Sequence, residues 1–169
     1  MTAADLSRPR LARLLAEARP DRDALVRLAG ELTAFAPRLA EAPTERPLLA
    51  VVAVDLHDYY TALETLFERT ARLLDGDVPK GPDWHRDLLV QMAADLPPVR
   101  GPVIAAVDRP WLESLRGFRH FFRHAYAVQL EAHRLLEHAT AVQAGHPGLL
   151  GRVDGLVAHV EAVRNSLVT

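Results

Sequence analysis

The chain has 169 residues, enough to remove roughly 70% of its unfolded surface from water in one core, so a single domain over 1–169 is expected. Its 20 basic and 22 acidic residues nearly cancel, which leaves no overall field to attract nucleic acid or a membrane and confines any such signal to a local patch. The lack of cysteine excludes a disulfide framework, thiolate zinc sites and thiol catalysis.

The segment MTAADLSRPRLARLL places arginines where a secretory signal needs an apolar run. The most apolar stretch, Pro47 to Leu56, is too short to span a bilayer and contains Asp55. A soluble cytoplasmic protein without membrane contact is therefore expected. Beyond this, prolines and glycines divide the chain into stretches rich in Ala, Leu, Arg and Glu, with almost no alternation of period two, so the expected class is all-α.

In chain order, Ser7 can cap a first short helix with Pro9 in its first turn, and Pro20-Asp21 opens a second that should end near Pro37. These two helices, within residues 1–45, are expected to cover a bundle formed by 46–169. From Pro47 to Leu74, Leu56, Tyr60, Leu63, Phe67, Thr70 and Leu74 repeat at steps of four and three, which predicts a long helix with a buried stripe. The breaker DGDVPKGP ends it, and Asp83 should cap WHRDLLVQMAADL up to Pro97-Pro98. Asp108, with Pro110 following, opens a helix that meets no breaker except Gly117 until about Ala144, and a last helix runs from about Pro147 to Leu167. The predicted architecture is an antiparallel bundle of four principal helices with additional N-terminal helices.

The stretch RGFRHFFRHAY, residues 116–126, holds three arginines, two histidines and three of the five phenylalanines. On a helical wheel with Arg119 at zero, Phe118, Phe121, Phe122, Ala125 and Val128 fall between about 180° and 300°. Arg116, Arg119, His120, Arg123, His124 and Tyr126 fall between about −20° and 140°. The phenylalanines read as the core side and the other arc as a basic face. Such an arc is either an ordinary solvated face or an anion site, and no acid lies between Glu113 and Glu131 to pair with it along the helix. An anion would balance it: arginine's planar fork suits phosphate oxygens, and histidine exchanges protons near neutrality. Those two residue types suffice to cleave a phosphodiester without a metal.

His120 and His124 are four apart, as zinc ligands on a helix often are, but Phe-Phe-Arg between them offers no glutamate and Arg123 repels a cation. The chain has no Glu-x-x-His pair either, so neither a metal nor another cofactor is expected. Trp84-His85-Arg86 is either a second basic contact or a tryptophan anchor beside exposed polar neighbours.

Arg119, four residues, His124, one residue and Tyr126 resembles the motif of the HEPN superfamily, specifically its HepT-like ribonuclease toxins. The likeness extends through LHDYYTALETLFERTARLLDG, GPDWHRDLLVQMAADLP and LRGFRHFFRHAYAVQL, in that order, over about residues 48–135. The resemblance implies a helical bundle that forms a homodimer around the Arg-x4-His helix, with the two motifs facing a shared cleft, and a metal-independent endoribonuclease acting on RNA. It implies that Arg119 stabilises the scissile phosphate, that His124 is the acid/base residue and that His120 is a supporting polar group. Arg116 and Arg123 would add substrate contacts, and Trp84, His85 and Arg86 are secondary candidates. The implied partner is a nucleotidyltransferase (MNT-type) antitoxin, which in such systems can transfer AMP to the motif tyrosine, here Tyr126. The alternative is a non-catalytic HEPN module that binds the nucleotidyltransferase or a nucleotide through the same face.

Overall fold

The computed structural model describes residues 7–124 and 130–167, His124 by its backbone only. Among these residues there are five α-helices: α1 (Arg8–Glu41), α2 (Arg46–Thr70), α3 (Trp84–Ala93), α4 (Arg109–His124) and α5 (Ala132–Ser166). A π-helical turn, Ala71–Asp75, prolongs α2, and Gly76 ends it in the left-handed conformation, φ 88°, that suits glycine at a helix C-terminus. Among the described residues the fold is an all-α bundle.

The N-terminal region is one helix, not two, since α1 carries both Pro20 and Pro37 in its interior. A proline there forfeits one backbone bond and would normally kink or end the helix. Here α2 offsets the loss: Arg69 donates to the Glu17 carbonyl oxygen at 2.7 Å and pairs with the Asp21 carboxylate, bracketing Pro20. Leucines 11, 14, 15, 25, 28, 32 and 39 keep one buried line through both prolines. Arg22 pairs with Asp154, and Gln143 reaches the Leu32 carbonyl oxygen. As α1 advances, its partners on α2 and on α5 recede in number, so α1 runs antiparallel to both.

The second difference lies at the other end. The helix expected from Asp108 to about Ala144 is not continuous: α4 is described to His124, Leu130 and Glu131 are not helical, and α5 starts at Ala132 and runs through Gly145-His146-Pro147-Gly148. Helix contacts outweigh the breakers there. A Cβ on Gly145 would fall 2.6 Å from the Trp111 ring, so the glycine lets α5 pass directly over α4. The next residue, His146, is bonded through Nδ1 to the Tyr59 hydroxyl at 3.0 Å. Asp108 does not cap α4 either: its carboxylate accepts from the Ala105 backbone N–H at 2.6 Å and pairs with Arg152 of α5. Asp83 does sit at the start of α3, but it acts through its carbonyl, which accepts from Arg86 N–H at 2.9 Å and Asp87 N–H at 3.1 Å.

Short α3 is held by an almost fully buried ion pair. Arg100 contacts both oxygens of Asp75 at 2.7 and 2.6 Å and donates to the carbonyls of Gln91, Ala94 and Gly101. The guanidinium ties the segment after α3 to the end of α2, which fixes where α3 begins and hence where Trp84 and His85 stand.

One buried acid has no such partner. Asp55, on the α1-facing edge of α2, is 9% exposed, and its Oδ2 has no hydrogen-bond partner. Burial, then Glu31 and Asp58, push its pKa up to about 6 against a partial offset from Arg27. A carboxyl raised on folding costs nothing below its unfolded value, and the cost grows between the two values and is full above the folded one. Asp55→Asn should therefore raise stability by about 1–2 kcal/mol at neutral pH after allowance for solvent screening. The gain should shrink as pH falls through 6 and vanish near the ordinary Asp value of about 4, as read from urea unfolding at a series of pH values.

Candidate functional site

The basic stretch folds as the second half of α4, and the wheel over 116–128 misplaced its buried side. Leu112 and Leu115 are fully buried and Phe118 nearly so. Relative to Arg119 these stand at about 20°, −40° and −100°, with Phe122 at about −60°. Arg119 therefore lies inside the buried arc and Phe121, at about 200°, outside it. Phe121 is 48% exposed, whereas Phe118 and half-buried Phe122 hold α4 to the bundle. Phe122 packs on His57 of α2 at 5.5 Å between ring centroids, and His57 itself contacts Asp58.

Arg119 points inward, with its side chain 14% exposed. Its Nη2 lies 2.9 Å from Oε2 of Glu64, whose side chain is 5% exposed, and its Nε reaches Thr61 Oγ1 at 3.4 Å. The guanidinium carbon stands 6.0 Å from the centre of the Tyr60 ring, a cation–π distance. Burial holds the Tyr60 phenol well above its ordinary range, so it stays protonated. The other carboxylate oxygen of Glu64 is 2.5 Å from His85 Nδ1, and Trp84 stacks on that imidazole at 3.7 Å. One buried carboxylate thus holds an arginine of the motif and a histidine of α3 together.

These groups form one wall of a groove of about 370 Å³, lined by Gly81, Pro82, Trp84, His85, Arg116, Arg119, His120 and Arg123. Exposed His120 and Arg123 face it from α4. Arg116 contacts Glu113 at 3.3 Å, yet its Nε is buried without a hydrogen-bond partner. Two imidazoles and three guanidiniums in one groove can bind an anion and exchange protons beside it.

Of the residues expected at the site, the structure therefore brings together Arg116, Arg119, His120, Arg123, Trp84 and His85. Arg86 is exposed and does not line the groove. The side chain of His124 and the whole of Tyr126 lie outside the described residues. Glu64 is the member that the sequence reading missed. Charge balance for Arg119 comes across the bundle from α2 and not along α4. The available signal was position: Glu64 falls four after Tyr60 and one after Leu63, inside an apolar stripe where a carboxylate needs a partner. Glu68, one turn further, is half-buried, and burial, then Glu64, raises its pKa.

Among the described residues no group of three or more His, Cys, Asp or Glu is placed to hold a metal ion, and no helix is long and apolar enough to cross a membrane.

The helical bundle and its motif helix are those of a HEPN-superfamily protein. The family model for HepT-like protein matches residues 51–157, and the chain belongs to that family, which is generally ribonuclease-related. No curated protein and no solved structure matches it.

Proposed function

We propose that this chain is the toxin of a toxin–antitoxin pair, a metal-independent endoribonuclease that acts as a homodimer. The observation that supports this best is the groove in which Arg116, Arg119 and Arg123 stand beside His85 and His120. A phosphodiester there meets fixed positive charge, and imidazole can take up or supply the protons that the reaction moves. The 2′-oxygen attacks phosphorus, the bond to the 5′-oxygen breaks, and the products are a 2′,3′-cyclic phosphate and a 5′-hydroxyl. Arg119 stabilises the charge that accumulates on the non-bridging phosphoryl oxygens, His124 is the proton-transfer residue of the motif, and Arg116 and Arg123 hold flanking phosphates. A nucleotidyltransferase antitoxin silences the chain by transferring AMP to Tyr126, seven positions beyond Arg119, where bulk and negative charge oppose RNA binding.

A second reading is favoured by the Arg119–Glu64 contact: a guanidinium already satisfied suits a non-catalytic module whose groove binds a nucleotide or a nucleotidyltransferase. The two readings part when purified protein, shown by light scattering to be a dimer, is given structured RNA in EDTA. Cleavage that falls about 100-fold or more in His124→Ala is expected. RNA left intact by the wild type sinks the enzyme reading. Intact mass after co-expression with the antitoxin should show one added adenylate that Tyr126→Phe abolishes.

A further inference from the structure

The groove holds a histidine that the motif helix does not supply. His85 comes from the first turn of α3, and its Nδ1 lies 2.5 Å from Oε1 of Glu64, whose other oxygen is occupied by Arg119. A buried carboxylate at that distance keeps the proton on Nδ1 of the neutral ring, so exchange with anything in the groove falls to Nε2. Trp84, stacked on the ring and packed against the core, keeps the imidazole from turning. The accessible quarter of the side chain opens into the groove beside Arg116, Arg119 and His120. An imidazole so fixed in tautomer and direction is prepared to accept a proton, and the carboxylate stabilises the imidazolium that results.

We propose that His85 is the proton acceptor of the RNA-cleaving step, with Glu64 as its positioning residue; this rests on the ribonuclease reading above. His85 Nε2 removes the 2′-hydroxyl proton as the 2′-oxygen bonds to phosphorus. The bond from phosphorus to the 5′-oxygen breaks with its electron pair on that oxygen, which takes a proton from the His124 imidazolium. His85 ends protonated and His124 neutral, and both are reset by exchange with water. The reaction then uses two different imidazoles rather than two copies of His124. Outside its own helix, His85 is faced by Glu64 and Glu68 of α2, which favour its charged form, and by Arg116, Arg119, His120 and Arg123 of α4, which oppose it.

The test is cleavage in EDTA from about pH 5 to about pH 9, on a defined RNA and on the same RNA with sulfur as the bridging 5′-atom, a leaving group that needs no proton. His124→Ala should regain most of its rate on the sulfur substrate. His85→Gln should stay about 100-fold or more below the wild type on both substrates and lose the acidic limb of the pH–rate profile. Glu64→Gln keeps an acceptor for Nδ1 but removes the charge, and should move that limb to lower pH. A limb retained in His85→Gln with kcat within about threefold of the wild type, or a limb lost in His120→Gln instead, overturns the assignment while the ribonuclease reading stands. Where His85→Gln does not fold, NMR titration of the wild type decides: an imidazole pKa matching the limb supports His85, and a mismatch beyond about one unit overturns it. Wild-type protein that leaves both RNAs intact removes the ribonuclease reading and this proposal with it.

Discussion

Arg119→Ala should lower RNA cleavage by about 10²- to 10³-fold, the usual loss when one fixed donor to the developing charge is removed. The same substitution strips Glu64 of its guanidinium partner and leaves that buried carboxylate to His85 alone. Alanine therefore confounds chemistry with packing, and lysine separates them. An ammonium can reach Glu64 or a phosphate oxygen, but it lacks the planar fork that serves two acceptors at once. Arg119→Lys should keep the melting temperature near that of the wild type and still lose about 100-fold in kcat. The pair of measurements is a thermal melt followed by circular dichroism and a single-turnover cleavage rate. Lysine that restores full activity would show that charge at this position suffices.

Glu64→Ala should be the most destabilising single change in the site. It leaves a guanidinium and an imidazole facing each other with no anion between them, in a place from which water is largely excluded. Breaking a buried ion pair in this way costs roughly 3–5 kcal/mol, which for a chain of this size corresponds to a melting temperature lower by about 10 °C. Glu64→Gln keeps an oxygen acceptor and should lose clearly less. Because the pair is buried, added salt should restore little of the loss, unlike the exposed Arg27–Glu31 pair, where screening acts freely. Chemical denaturation at low and high salt checks both statements, and a loss below about 1 kcal/mol would mark the carboxylate as a surface-like contact.

The helical class was legible because the α2 stripe, Leu56 to Leu74, repeats at steps of three and four over about five turns without a competing pattern. Helix ends were less so, most often at proline. Pro20, Pro37 and Pro147 satisfy every local rule for a boundary, yet each is carried inside a helix. What overrides the local rule is contact from elsewhere: Arg69 beside Pro20, and Trp111 and Tyr59 beside Gly145-His146-Pro147. The site divides in the same way. Spacing along α4 put Arg116, Arg119, His120 and Arg123 in one neighbourhood, as they are. It gave the wrong sense to Arg119 because the wheel began after Leu112 and Leu115, the residues that define the buried arc. Glu64 and Arg119 are too far apart in the chain for any local pattern to join them, and only the two acids at the edges of the α2 stripe, Asp55 and Glu64, hinted that buried charge had to be matched.

The family match begins at residue 51, after α1 has ended. Yet α1 contributes seven leucines to the same apolar cluster that holds Tyr60, Phe67 and Leu115. Each such side chain is worth roughly 1.5–3 kcal/mol when taken out of water, so the helix supplies a large share of what keeps α2 and α5 in register. The stretch that carries recognisable ancestry and the stretch that must be present for cooperative folding are therefore different lengths of chain. A fragment cut at the edge of the family match would hold every residue of the basic groove and present the bare apolar sides of α2 and α5 to solvent.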